Sequence, residues 1–255
     1  MTRRIGMNVV TIAALAFGSA SAAADGQSGD WKHRVFVYGM GAAMDGKARI
    51  GALEVPVEYS ISDVLDKLEF GAMAAYRADN GTWSYTVDAT YMGLGGSSRT
   101  EGGRVLGKVD VDQLTVMGTV GRRVSDHLEV LFSLGYFNLS NQLELQTTNP
   151  VSGETVVAKA GRDASWVDPL VGLQYRRSLG DRWSVTLRGD IGGFGMGSDL
   201  TYQGLAMLGW QASARTDLFF GWRLISFDYE TGRDAGYQRY DLTEQGPMAG
   251  ISVAF

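Results

Sequence analysis

Chemistry in this 255-residue chain would have to come from carboxylates and arginines, because cysteine is absent and histidine occurs only at His33 and His127. Without cysteine, zinc-thiolate sites and cysteine nucleophiles are excluded. Nine charged residues stand out by position: Glu69, Asp88, Glu129, Asp168, Arg176, Arg188, Asp190, Arg223 and Glu244. Each alternates with an apolar series in its own segment, so in extended chain all nine would share one face. Charges gathered on a hidden face must be paired or hydrated. They would therefore either lock an interior together or line a narrow charged passage. Other candidates are weaker. Ser198-Asp199 sets a hydroxyl beside a carboxylate but has no histidine neighbour. Gly192–Gly197 lacks the spacing and strand–helix context of a dinucleotide loop. The acidic pairs Asp110/Asp112 and Asp228/Glu230 lack the regular spacing of a calcium loop and read as solvated loop charge. No metal and no cofactor is expected.

The elements that must position those charges are strands. Trp83, Tyr85, Val87, Ala89 and Tyr91 alternate with Ser84, Thr86, Asp88 and Thr90, a clear two-residue repeat. The same alternation recurs along the chain. Strands are expected at about 34–44, 68–77, 83–91, 109–121, 128–136, 167–175, 183–191, 201–213 and 218–224, with a last one ending at Phe255. In the first, Phe36, Tyr38 and Met40 compete with Val35, Val37 and Gly39 for the outer face. Asp79-Asn80-Gly81 is a strong hairpin turn. Asp45-Gly46 is a turn pair, yet alternation resumes after it and extends that hairpin to about Tyr59. Ser62 is expected to cap a single helical turn through Lys67. Gly93–Gly107 and Asp228–Tyr240 read as loops, and Gln142–Ser165 as a loop or a strand extension. Junctions after the second, fourth, sixth and eighth strands are short, and most of the others are long.

The ends of the chain agree with each other. Gly246–Phe255 alternates Pro247, Ala249, Ile251, Val253 and Phe255 with small or polar residues. Arg3 and Arg4, the apolar run Val9–Phe17 and the small residues Ser19–Ala24 form a secretory signal peptide over residues 1–24, leaving 25–255 as one domain. Removing Arg3 and Arg4 lowers the basic count from 23 to 21 against 28 acidic residues, for a net charge of −7. No basic block remains to bind nucleic acid. No apolar run reaches the ~18 residues of a transmembrane helix. Abundant glycine with scarce proline, 35 against 4, suits crowded, curved strands.

Apolar-out alternation, short turns opposite long loops and a terminal Phe together resemble the small OmpA/OmpX/OmpW-like outer-membrane barrels. Trp166–Gly172 and Trp183–Asp190 are similar to segments of a bacterial barrel family that is functionally uncharacterised. The resemblance implies an all-β fold, an antiparallel up-and-down transmembrane barrel of about ten strands, with eight as the alternative. It also implies a bacterial outer-membrane location with both termini periplasmic. Outer-membrane lipid is the expected partner, and the barrel-assembly machinery would read the C-terminal strand. An extracellular partner for the loops is left open. Trp83, Tyr85, Tyr91, Tyr136, Tyr175, Trp183, Tyr202, Trp210, Trp222 and Phe255 would form the interfacial aromatic girdle. Lipid-modifying and proteolytic enzymes of similar shape carry a histidine near the outer rim, whereas His33 and His127 fall at the other end. The reading is therefore a non-enzymatic structural or surface-interaction barrel with a narrow charged lumen. A small-solute channel is the alternative, and a lipid-modifying enzyme ranks third. It follows that the mature chain should show heat-modifiable mobility on a detergent gel. Its recovery as a soluble periplasmic monomer would overturn the barrel reading.

Overall fold

The computed structural model describes residues 30–50, 53–99, 105–148 and 155–255. The signal-peptide expectation lies outside these residues. Twelve strands form a single antiparallel sheet: β1 (Lys32–Met40), β2 (Ala43–Ile50), β3 (Leu53–Tyr59), β4 (Leu68–Asp79), β5 (Trp83–Arg99), β6 (Val105–Arg123), β7 (Leu128–Thr148), β8 (Thr155–Leu179), β9 (Trp183–Gly193), β10 (Leu200–Gln211), β11 (Thr216–Thr231) and β12 (Gln238–Ala254). The order follows the chain from β4 to β12, and β12 closes the ring by pairing β1 and β2 at different heights. β1 with β2, and β3 with β4, each act as one broken stave, so the barrel has ten strands. Closure matters because lipid offers no partner for a free backbone amide, and a closed barrel leaves no edge.

The breaks have local causes. Pro247 has no N–H to donate. Opposite it, the β1/β2 ladder skips Gly41 and Ala42, and Gly41 N donates to the Pro247 carbonyl at 2.9 Å. A Cβ at Gly246 would lie on the Gly41 carbonyl, so only glycine allows this approach. The second break holds a short helix, α1 (Ile61–Lys67). Its cap is Ser60 rather than Ser62: Ser60 Oγ accepts from Asp63 N, and Asp63 accepts from Ser60 N in return. Those Ser60 bonds hold the Asp63 carboxyl below the usual carboxylate range. Val64 is the buried residue of the helix and packs with Met44 and Met92.

Two further expectations change. Most of the stretches read as loops at one end of the barrel are strand. β5 and β6 cover 93–99 and 105–107, and the remainder lies outside the described residues. β7 and β8 likewise extend through much of 142–165. β11 reaches Thr231 and β12 starts at Gln238, leaving only 232–237 between them. Polar alternation without lipid-facing apolar residues looks like loop in sequence, but above a membrane both strand faces meet water or protein. The other end has the short turns expected, at 80–82, 124–127, 180–182 and 212–215. β7 and β8 run to 21 and 25 residues while β9 and β10 have 11 and 12. About 9–11 tilted residues cross a bilayer. The β9–β10 hairpin is thus only membrane-high, and its neighbours rise well above it.

The faces follow parity. Val35, Val37, Val87, Phe132, Leu134, Val171, Leu187, Phe220, Ile251 and Val253 are exposed on the outer surface. This settles the first strand, since Phe36 and Met40 pack inward around Tyr38, Phe219 and Met248. Val87→Arg should therefore cost about 2–4 kcal/mol, the range for a lipid-facing arginine near the bilayer midplane. Thr86→Arg, next to Asp88 on the inner face, should cost less. Urea titration of both variants folded into lipid vesicles checks this, and equal losses would contradict the facing of β5.

Candidate functional site

The interior changes character from the Phe255 end upward. Nearest that end, Arg77 donates to both oxygens of Glu129 at 2.8 and 2.9 Å and to Asp79 at 2.8 Å. Arg123 reaches the same two carboxylates at 3.1 and 3.4 Å, and Gln174 donates to Glu129 at 3.0 Å. Beside this cluster Arg34 pairs with Asp217 and donates to Ser252 at 2.8 Å. Arg77 and Glu129 are buried and each has a second partner, Asp79 for Arg77 and Arg123 for Glu129, so the cluster neutralises itself as a network rather than as one pair.

Higher up, two arginines organise separate knots. Arg223 donates to Tyr38 Oη at 2.6 Å and to Asp88 at 3.1 Å, while Tyr38 donates to Asp88 at 2.7 Å. These residues sit on β11, β1 and β5, so the triad ties three staves. Arg188 grips Asp190 through two N–H groups at 2.7 and 3.0 Å. It also reaches Thr119 and Ser133 at 3.1 and 3.2 Å, and Gln203 donates to Asp190 at 3.1 Å. The Arg188–Asp190 pair lies along one strand; the hydroxyls of β6 and β7 carry the bonding sideways. Glu244 is buried beside Gln113 and Arg223, and its Oε1 has no hydrogen-bond partner among the described residues.

Three of the nine charges stand apart from these knots. Glu69 lies at a bulge, where the β4–β5 register shifts between Leu68 and Phe70. The extra residue turns it outward, against Gly95 and near Tyr91. Asp168 faces inward and is fully buried but holds no cation. It accepts from Ser198 N at 2.7 Å, Ser198 Oγ at 2.8 Å, Thr201 Oγ1 at 2.6 Å and Trp166 Nε1 at 3.0 Å. Asp168 therefore folds the β9–β10 turn back onto β8, and Ser198 is a loop anchor. Arg176 lines the opening at the Phe255 end without an ion-pair partner among the described residues.

Above the charges the barrel is filled by aromatic side chains. Trp166 stacks on Tyr229 with centroids 4.0 Å apart and on Phe137 at 5.2 Å, and it meets Phe227 at 5.2 Å. Leu139, Ala164, Leu170, Ile225, Tyr240 and Leu242 complete a buried cluster. Asn141 donates to Tyr240 Oη at 3.0 Å across the top of it. These contacts join β7–β8 to β11–β12 over the short β9–β10 hairpin. None of this was visible as a site in the sequence. Phe137 does fall on the inward parity set by Glu129 and Ser133, but Tyr229 and Tyr240 lay in a presumed loop.

The remaining candidates are accounted for by their contacts. His33 shares a 2.7 Å hydrogen bond with Tyr76 Oη and stacks against Phe255, and His127 sits in the 124–127 turn beside Tyr175. Asp112 accepts from Tyr91 at 2.6 Å, Asp228 pairs with Arg239 at 2.6 Å, and Glu230 accepts from Tyr237 at 2.8 Å. Among the described residues no three His, Asp or Glu side chains gather as a metal site. Of the girdle residues, Trp83, Tyr85, Tyr175, Trp183, Trp210 and Phe255 lie toward the short-turn end and Tyr91, Tyr136 and Tyr202 toward the other, while Trp222 stands part-way along β11. Far from the membrane, Lys159 and Gln146 hold the Glu144 carboxyl below its usual range.

No protein-family description and no curated protein matches the chain. Solved structures do. The chain is similar to the outer membrane protease OmpT of Escherichia coli, with 8% identity, 89% of this chain and 97% of that one covered, and a TM-score of 0.53. It is similar to the Yersinia pestis attachment invasion locus protein Ail in complex with the heparin analogue sucrose octasulfate, at 11% identity, 89% and 99% coverage and a TM-score of 0.40. It is also similar to the toluene transporter TbuX of Ralstonia pickettii, at 10% identity, 89% coverage of both chains and a TM-score of 0.35. At 8% identity the likeness to OmpT shows the fold alone.

The aromatic closure generates a test. Trp166→Ala should cost about 3–5 kcal/mol, because the cavity it leaves is walled by protein. Phe132→Ala on the outer face should cost clearly less, since acyl chains refill the space. Denaturant titration in phospholipid vesicles compares them, and equal losses would mean that Trp166 is not packed as described.

Proposed function

We infer, from the premise that this chain is an outer-membrane β-barrel by fold, that it is a non-enzymatic barrel with a structural or surface-interaction role. The observation that carries the reading is the aromatic cluster around Trp166, which spans the lumen above the Arg223 and Arg188 knots. A solute channel needs a continuous wet path, and ten strands lie near the barrel size that side chains can fill. Here the buried stack and the ion pairs occupy that path at successive heights. The outer-membrane location rests on the exposed apolar band together with the fold. The short turns and Phe255 share one end, which we assign to the periplasm, as the usual asymmetry of such barrels suggests. The raised strands β7, β8, β11 and β12 then stand outside the cell and form the surface that a partner would meet.

Among the described residues an enzymatic reading finds no suitable constellation. Ser198 and Asp168 are 2.8 Å apart, but both are fully buried and their bonds are spent on the turn. A nucleophile needs an accessible hydroxyl and a base within reach. Assembly through the C-terminal strand remains part of the proposal, with β12 as the stave that closes the ring.

Planar-bilayer recording tests the closed lumen. Wild type should pass little steady current, and Trp166→Ala combined with Arg223→Ala should leak measurably. A large, steady conductance from wild type would reject the closed reading and favour the small-solute channel.

A further inference from the structure

The Phe255 end of the barrel is open where the other end is closed. A cavity of about 890 Å³ occupies this mouth, lined by Lys32, Arg34, Arg77, Arg123, Arg176 and Arg215 among others, with Asp30 and Asp79 as the acidic side chains. A second cavity of about 110 Å³ lies within the barrel. Arg77 and Arg176 line both and so stand between them. Arg77 is committed to Asp79 and Glu129. Arg176 is different: it is exposed at the mouth, and among the described residues its guanidinium makes no hydrogen bond or ion pair, although the carboxylates of Glu129 and Asp79 as well as the guanidiniums of Arg77 and Arg34 act on it from a distance. A solvent-accessible planar fork that no protein group occupies is suited to a carboxylate.

The inner cavity has a mixed lining: Arg77, Arg176, Arg188 and Arg223, with Asp88 already taken up by Tyr38 and Arg223, and the apolar Phe36, Leu205, Met207, Phe219 and Met248. Met207 and Met248 are unbranched and adaptable, so this wall can mould itself to an alkyl chain. We propose that this blind pocket binds a small amphiphilic carboxylate, entering from the Phe255 end with its head on Arg176 and its short apolar chain among Phe36, Met207, Phe219 and Met248. The cavity volume suits a chain of a few carbons. The proposal goes beyond the closed-barrel reading: it needs the mouth to be open and does not depend on which side of the membrane the mouth faces.

Calorimetric titration of the folded protein in an uncharged detergent tests it, with hexanoate, hexylammonium and inorganic phosphate as probes. Hexanoate should bind, and at least ten-fold more tightly than either of the others. Arg176→Gln should lose at least ten-fold in hexanoate affinity while keeping heat-modifiable mobility, since Arg176 supports no other side chain. The comparison among probes on wild type holds whether or not the variant folds. Equal binding of hexanoate and hexylammonium would remove the role of charge, and equal binding of hexanoate and phosphate would remove the apolar wall. Either result, no hexanoate binding, or unchanged affinity in folded Arg176→Gln, overturns the proposal.

Discussion

Every feature of this protein depends on the rule that backbone amides in hydrocarbon must find partners in the protein. The β12 strand meets that rule for the whole ring, pairing β11 on one side and β1 then β2 on the other. Its one proline sits where the opposite ladder is already broken. The defect that Pro247 imposes and the break between β1 and β2 therefore coincide, and glycine at 246 lets the backbones approach there.

Closure creates an interior that must then be filled. Two solutions are used at different heights. Low in the barrel, arginines and carboxylates neutralise one another, hydroxyls accept from the spare arginine N–H groups, and glutamine amides donate to the spare carboxylate sites. Higher up, the short β9–β10 hairpin leaves a gap between taller walls, and aromatic rings from β7, β8 and β11 meet above it. Asp168 links the two. It is buried like a core residue yet carries a carboxylate, and four donors folded around it fix the turn under the rings. Burying the charge there is tolerable because its acceptor sites are occupied by oriented donors.

On the closed reading proposed above, the barrel works as a cup: a ligand would enter and leave by one route, so affinity rather than flux would be the quantity that the interior tunes. Arg176 is then notable because its neighbours Arg34, Arg77 and Arg123 all have carboxylate partners and it has none among the described residues.

Much of this was legible in the sequence because a β-strand repeats every two residues. The alternation from Trp83 to Tyr91 and the apolar series before Phe255 determined strands, facing and barrel class without any long-range information. Parity also placed Asp88, Glu129, Arg188, Asp190, Arg223 and Glu244 on one face. It misplaced Glu69, because a single bulge inverts the count and leaves no mark in composition. It missed the heights of the strands, because alternation fades where no lipid faces the wall. Which charges meet was beyond it altogether: Arg223 finds Asp88 from 135 residues away, and Trp166 finds Tyr229 only because the intervening hairpin is short. Facing is a property of neighbours along one chain, so sequence determines it. Pairing across a lumen depends on shear, strand length and curvature of the whole ring, and only the tertiary structure decides those.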